Sequence, residues 1–285
     1  MPLVTTVAML SAARKNAYAV AAFNCENMEM IQAIIAAGEE MKAPLILQTT
    51  PSTVRYASVG LFAATVAAAA KSASIPVALH LDHGESHELA ESALRAGYTS
   101  IMIDGSSLPL EENIAFTKKT AQLCLKAGIP VEGELGHVGG KEDDTVGSGC
   151  GYTDPDEAVR FVEETGVSSL AIGVGTAHGV YAKKPVLTPD LISVLKDRVT
   201  VPLVLHGGSG LDDDVIQDCI ARGISKVNIA TDLRIAFTRA IREYLQKDPD
   251  CFDPKKYGAA GREAVKKLAM NRIMVCGCQG RAGET

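Results

Sequence analysis

Tryptophan is absent from this sequence, and aromatic residues make up only 5% of its 285 positions. With so few large rings and so much Ala, Val, Ile and Gly, the composition suits buried parallel strands alternating with helices and disfavours an all-β sandwich. Basic residues are outnumbered, 28 Lys and Arg against 34 Asp and Glu, for a formal charge of −6. Nucleic acid and anionic membrane surfaces reward clustered cations, so neither is an expected partner. No apolar run reaches the ~18 residues of a membrane helix. The opening residues Met1 to Tyr18 lack the cationic start, apolar centre and cleavage site of a secretion signal. A soluble cytoplasmic protein is expected. The seven cysteines, at 25, 124, 150, 219, 251, 276 and 278, form no even framework and read as reduced thiols; Cys276-Gly277-Cys278 is too closely spaced for a usual zinc knuckle. Linkers and low-complexity segments are missing as well, which leaves 1–285 as one domain.

What the sequence does contain is alternation. Short apolar runs recur at 20–23, 44–48, 77–81, 100–103, 130–132, 169–174, 202–205 and 226–229, which makes eight. Between them lie stretches with apolar residues three and four apart, predicting helices over 28–42, 61–72, 87–96, 111–127, 156–165, 188–196 and 212–222. Ala96-Gly97, Ala127-Gly128 and Arg222-Gly223 are helix ends in which glycine supplies the left-handed cap. Eight strand and helix units are the content of a closed (β/α)8 barrel of the TIM type. The other arrangement, an open doubly wound sheet, calls for a G-x-G-x-x-G loop after the first strand, where this chain has Asn24-Cys25-Glu26-Asn27. A closing helix over 232–245 and a tail with a further helix over 262–270 form a carboxyl-terminal helical extension.

A β/α barrel carries its active site at the carboxyl ends of its strands. Read in order, those ends offer Asn24, Thr49-Thr50, Asp82-His83, Asp104, Glu134, His178 after a glycine-rich loop, His206 and Asn228. Three of the six histidines thus fall at the ends of separate strands, and neutral imidazole is the preferred ligand of a catalytic zinc that must keep a position open. His80, one strand step before Asp82, is expected to point into the barrel. His87 reads as an exposed helix residue, and His137 as a loop residue near the site that does not ligate. His206-Gly207-Gly208-Ser209-Gly210 follows the seventh strand and Asn228-Ile229-Ala230-Thr231 the eighth, the usual place for a barrel phosphate site. Glycines there let backbone N–H groups approach an anion, and the hydroxyls add donors. The stretch 173–179, with Lys183 beyond it, is a third candidate loop. The glycine-rich acidic stretch 139–151 reads as a flexible loop able to close over a ligand.

Leu81-Asp82-His83-Gly84, Gly133-Glu134-Leu135-Gly136, Gly175-Thr176-Ala177-His178-Gly179, Leu205-His206-Gly207-Gly208-Ser209-Gly210 and Val227-Asn228-Ile229-Ala230-Thr231, in this order and in barrel register, resemble the class II fructose- and tagatose-bisphosphate aldolases across nearly the whole chain. The resemblance implies that His83, His178 and His206 bind a catalytic Zn²⁺, and that Asp82 is the acid/base beside it. Asp104 and Glu134 match carboxylates near the metal, able to hold a second or alternative ion. It also implies that Gly179, Gly207, Gly208, Ser209, Asn228, Ile229, Ala230 and Thr231 cradle the phosphate of dihydroxyacetone phosphate, with Asn24, Thr50 and Lys183 as further substrate contacts. A monovalent cation, Na⁺ or K⁺, is implied near Gly179, Gly207 and Ser209. Glu142, in the mobile-loop position, corresponds to the base that removes the α-proton in condensation, while Asp82 protonates the aldehyde oxygen. The implied reaction is reversible cleavage of a ketose 1,6-bisphosphate to dihydroxyacetone phosphate and glyceraldehyde 3-phosphate by a homodimer or homotetramer.

Two departures bear on the substrate. Ala230 stands where many fructose-type members carry Asp, and Asn271-Arg272-Ile273-Met274-Val275-Cys276-Gly277 is more similar to the tagatose-type branch. Lys255 follows Asp253-Pro254, where family members usually place an arginine that reaches a neighbouring subunit's substrate. A lysine keeps the charge and loses the bidentate fork, so Arg234 is a candidate to compensate and an acceptor without the distal phosphate stays open. The rival readings are a related aldolase for another ketose 1-phosphate, a lysine-imine aldolase, a barrel metallohydrolase and a non-catalytic sugar-phosphate-binding subunit. The imine enzyme needs a buried lysine inside a late strand, and Lys226 falls at the wrong end of its strand for that role.

Overall fold

The structure, a computed structural model, describes residues 3–142, 145–147, 151–181 and 185–284. Its strands are β1 (Val20–Asn24), β2 (Leu45–Thr49), β3 (Val77–Gly84), β4 (Ser100–Ile103), β5 (Val131–Leu135), β6 (Gly139–Glu142), β7 (Thr145–Gly147), β8 (Ser169–Ile172), β9 (Ala177–His178), β10 (Leu203–Leu205) and β11 (Ile224–Ile229). The helices are α1 (Thr6–Asn16), α2 (Met28–Met41), α3 (Pro51–Ala57), α4 (Val59–Lys71), α5 (His87–Ala96), α6 (Leu110–Leu125), α7 (Pro155–Thr165), α8 (Pro189–Arg198), α9 (Asp213–Arg222), α10 (Thr231–Lys247) and α11 (Pro254–Val275).

Eight strands close into a parallel barrel in the order β1-β11-β10-β8-β5-β4-β3-β2, so each expected apolar run occupies a barrel strand. These strands are buried on both faces, as near-continuous apolar runs require. The expected helices form with ends shifted by a few residues. Gly97 takes φ 96° and closes α5, while α2 ends on Lys42 in the left-handed region at φ 49°. No single helix among the described residues is long and apolar enough to cross a membrane.

Four features depart from the sequence reading. α1 forms ahead of the first strand and lies across the amino-terminal end of the barrel. There the Arg14 guanidinium donates to the carbonyls of Lys196, Val199 and Val201, and the Thr6 hydroxyl donates to Ser100 Oγ at 3.1 Å. α3 is a second unforeseen helix, started by Pro51 at its first position. α11 begins eight residues before the expected 262, because Asp253 accepts from the Lys255 N–H as an N-cap ahead of Pro254. Gly261 within it is needed for packing: a Cβ there would stand 2.5 Å from the Phe237 ring. Finally, the stretch expected to be a loop contains a hairpin. The backbone of β6 pairs antiparallel with β7 and parallel with β9, Gly140 lying opposite His178.

Candidate metal centre and anion site

The site begins with an irregularity in β3. Consecutive strand residues point to opposite faces, so Asp82 and His83 would diverge in a regular strand. The pairing of β3 with β4 shifts register between Leu81 and Gly84, and His83 takes a left-handed φ of 49°. A non-glycine residue holds that conformation at a cost of roughly 1–3 kcal/mol, a pattern that clusters at functional sites. Its N–H donates to Met102 Sδ at 3.3 Å. Gly84 is required next: a Cβ would stand 2.4 Å from the Met102 carbonyl oxygen. The bulge aims the acid and the imidazole into one space.

His83 and His178 converge there from β3 and β9, and His206 from the position just after β10. Ring centroids are 4.6 Å apart for His83 and His206, 5.0 Å for His83 and His178, and 5.9 Å for His178 and His206. One nitrogen from each ring lies within 4.8 Å of the others, and His83, Asp104 and Glu134 meet the same criterion. His83 Nδ1 donates to Asp104 Oδ2 at 2.8 Å, and Asp104 Oδ1 accepts the Ser106 N–H. Burial opposes the Asp104 charge, but these hydrogen bonds hold its carboxyl well below the usual carboxylate range. Glu134 is buried, with Oε2 3.2 Å from His206 Nδ1.

His206 is fully buried, and its other nitrogen, Nε2, lies 3.1 Å from Glu132 Oε1. Burial works against a charged imidazole, yet the two glutamates overcome it and lift His206 to about 9. The pocket therefore favours a cation, which a metal satisfies as a proton does. Three imidazoles with carboxylates behind them suit zinc with an open position. The residues present fit that ion.

Asp82 is fully buried within an amide cage. Asn24 Nδ2 donates to its Oδ2 at 2.9 Å, Gln48 Nε2 to the same oxygen at 3.1 Å, and Asn228 Nδ2 to Oδ1 at 3.0 Å. Gln48 also donates to Asn24 Oδ1 at 2.7 Å. Three strands, β1, β2 and β11, thus orient both carboxylate oxygens. In this structure the amide groups of Asn24 and Asn228, read from sequence as substrate contacts, are directed at Asp82.

The anion loops meet at the start of α10. Ala230 occupies the N-cap position and has no side chain able to cap, so Ser209 acts from the neighbouring loop, its Oγ accepting from Ala230 N at 3.0 Å and Asp232 N at 3.4 Å. Thr231 opens the helix, at the positive end of its dipole, where negative charge is favoured. Gly207 has φ 67° and Gly179 φ 87°. A Cβ on Gly208 would stand 2.7 Å from the Asn228 carbonyl oxygen, so the two loops touch through glycine. The Tyr181 hydroxyl ties them to β9 by accepting from Ala177 N at 3.0 Å and donating to the Gly207 carbonyl at 2.8 Å. The Ile229 side chain is wholly in the core, so its backbone is the part that faces the anion loops.

The remaining expected residues lie around this centre or apart from it. Thr50 is buried before α3, its hydroxyl 3.1 Å from that of Thr53. Arg234 is engaged by Glu26, with Nε donating at 2.7 Å, while Thr53 donates to the other Glu26 oxygen. Lys255 is exposed and paired with Asp253 at 2.9 Å. Glu142 ends β6, and only its backbone is described; Lys183 lies outside the described residues. His80 is buried as expected. His87 is half-buried, contrary to expectation, because Nδ1 bonds Thr120 Oγ1 at 2.7 Å and the ring packs on Phe116. His137 bridges backbone to backbone with Gly151.

Gln48, Glu132, Tyr181 and Lys226 went unassigned in the sequence reading. A signal exists for two of them. Gln48 is a polar residue inside an otherwise apolar strand, and Glu132-Gly133-Glu134 places two carboxylates on one strand face.

The chain matches the family described as fructose-bisphosphate aldolase class II over residues 4–281. It is 42% identical over 290 residues to a fructose-bisphosphate aldolase of Geobacillus stearothermophilus, with all of both chains covered. Among solved structures it resembles the YdjI aldolase of Escherichia coli K12 at 38% identity and a TM-score of 0.89, covering 98% of this chain and 99% of that one. A fructose-bisphosphate aldolase of Campylobacter jejuni shares the fold at 23% identity and a TM-score of 0.82, with 98% of this chain and 96% of that one covered.

Proposed function

Because the chain belongs to the class II fructose-bisphosphate aldolase family, a family of carbon–carbon lyases acting on sugar phosphates, we propose that it reversibly cleaves a ketose 1,6-bisphosphate to dihydroxyacetone phosphate and glyceraldehyde 3-phosphate. The observation that carries this reading is the convergence of His83, His178 and His206 beside a caged, buried Asp82 at the carboxyl end of the barrel. His83, His178 and His206 hold the ion in this proposal, and Asp104 and Glu134 either orient the histidines or take a second ion. Zinc bound there supplies a Lewis acid for the substrate's C2 ketone oxygen, the role a protonated imine plays in lysine-dependent aldolases.

In cleavage, Asp82 takes the proton from the C4 hydroxyl. The C3–C4 bond breaks, its electron pair moves toward C2, and the C4 fragment leaves as the aldehyde. Glu142 then returns a proton to C3 of the remaining enediolate. Condensation runs these steps in reverse. The Asp82 oxygens are already oriented by Asn24, Gln48 and Asn228, so little reorganisation precedes the proton transfer. The substrate's ketone-side phosphate sits over the first turn of α10, held by Gly179, Gly207, Gly208, Ser209, Thr231 and the backbone of residues 228–230, with Lys183 adding charge. Na⁺ or K⁺ binds beside Gly179, Gly207 and Ser209. Lys226 offers no free amine for an imine, because both oxygens of Glu132 hold its Nζ.

Glu142→Gln is expected to slow exchange of the dihydroxyacetone phosphate α-proton with solvent by about 10²-fold or more, while leaving metal content unchanged. Deuterium incorporation followed by NMR checks this, and wild-type exchange in the variant removes Glu142 from the role.

Residues 1–285 act as one domain of a cytoplasmic homodimer or homotetramer, in which the exposed Lys255 reaches a neighbouring subunit's distal phosphate and Arg234, steadied by Glu26, supports it. For the sugar itself, Ala230 and the sequence around Arg272 favour tagatose 1,6-bisphosphate, while the Geobacillus relative carries the fructose name. Side-by-side kcat/KM values for the two epimers test the assignment, with the tagatose substrate expected to lead. A higher value for fructose 1,6-bisphosphate reverses it, and no cleavage of either epimer overturns the bisphosphate reading.

A further inference from the structure

Below the site, the barrel interior holds a chain of polar groups that the cleavage steps do not use. Lys226 and Glu132 are both buried, the lysine with no exposed surface, and Nζ donates to Oε1 at 3.0 Å and to Oε2 at 2.9 Å. The same ammonium lies 3.4 Å from His80 Nε2, and His80 Nδ1 lies 2.8 Å from Ser100 Oγ, which also receives the Thr6 hydroxyl of α1. Lysine can only donate, so His80 Nε2 accepts and its Nδ1–H points to Ser100. Glu132 accepts further from Ser169 Oγ at 3.4 Å. At its upper end Glu132 Oε1 stands 3.1 Å from His206 Nε2.

Well-packed hydrophobic residues often replace a buried ion pair without loss of stability, so an ionic core of this kind is poorly explained by stability alone. Its geometry serves direction. With two donors from Lys226, Glu132 faces His206 as an acceptor only, which places a proton on His206 Nε2. Nδ1, which lies 3.2 Å from Glu134 Oε2 and faces the histidine and carboxylate cluster, is then the nitrogen whose lone pair is offered when an ion takes the place of a proton there.

We infer that Lys226 and Glu132 are positioning residues for the metal centre: the lysine fixes Glu132 as an acceptor, and Glu132 fixes the His206 tautomer that presents Nδ1 to the ion. This rests on the reading of His83, His178 and His206 as the metal ligands. Carboxylates behind a ligating histidine commonly change metal affinity by about 10- to 100-fold.

Two measurements test it. In the unaltered protein loaded with zinc and labelled with ¹⁵N-histidine, His206 Nε2 is expected to carry a directly bonded proton and Nδ1 to ligate. The opposite assignment overturns the inference whatever any variant does. In the paired neutral variant Lys226→Met with Glu132→Gln, no unpaired charge is buried and no acceptor is fixed toward His206. Zinc affinity by chelator competition is expected to fall about 10- to 100-fold, and the visible spectrum of the Co²⁺ form to change, with thermal melting of the metal-free protein close to wild type. A folded variant with wild-type affinity and spectrum makes the pair structural only. If the unaltered protein binds no metal at these histidines, the proposed metal centre itself fails, which is a separate outcome.

Discussion

Asp82→Asn is expected to leave the fold and the bound zinc in place and to lower kcat by about 10²- to 10⁴-fold, the range over which a positioned general acid–base acts. The substitution conserves shape and removes the ability to take a proton from the C4 hydroxyl. It also brings an NH₂ group into a cage built from the Nδ2 groups of Asn24 and Asn228 and the Nε2 of Gln48. Donor meets donor for at least one of them, a destabilisation of roughly 1–3 kcal/mol. Asp82→Ala removes the acceptor of the Asn24 and Asn228 amides, while Gln48 keeps Asn24 Oδ1, and tests the same role at a greater loss of stability. Because His83 is adjacent but separately held by Asp104 at 2.8 Å, metal content should survive both changes. Metal analysis and kcat on the same samples separate the roles. A near-normal rate with Asn or Ala at this position removes Asp82 from the mechanism.

Removal of the metal is expected to have the second large effect, a loss of cleavage of at least about 10³-fold, corresponding to ~4 kcal/mol of transition-state stabilisation. Breaking C3–C4 leaves an electron pair that must be drawn toward the ketone oxygen. Among the described residues, the buried strand lysine that could serve instead through an imine is Lys226, and its ammonium is tied to both oxygens of Glu132. In the proposed mechanism Asp82 and Glu142 move protons, and a carboxylate does not replace an electrophile. Without the ion, the protein should retain its barrel and its sugar-phosphate affinity through the α10 loops, so binding and turnover separate cleanly.

Much of this architecture was legible in the sequence because parallel barrel strands are buried on both faces and therefore appear as plain apolar runs. The convergence of His83, His178 and His206 needed register as well as residue type, since 95 and 28 positions separate them. Strand ends supplied it. What escaped had weaker local signals. α1 covers the barrel floor through hydrogen bonds from Arg14 to distant carbonyls, which no nearby pattern announces. The bulge that turns both Asp82 and His83 into the site depends on His83 adopting φ 49°, a conformation the strand pattern does not suggest. Gln48 and Glu132 were visible as polar residues within strands, but their partners lie on other strands and become apparent only when the barrel closes. That Ile229 can offer a ligand only its backbone, its side chain being buried in the core, likewise shows only in the folded barrel.

The central claim is tested most directly by cleavage of a ketose 1,6-bisphosphate before and after dialysis against a metal chelator, followed by titration with Zn²⁺. The expected result is loss of activity on chelation and recovery that saturates as His83, His178 and His206 fill, near one ion per chain. Cleavage that continues undiminished in metal-free protein, or inactivation by borohydride in the presence of substrate, would contradict it.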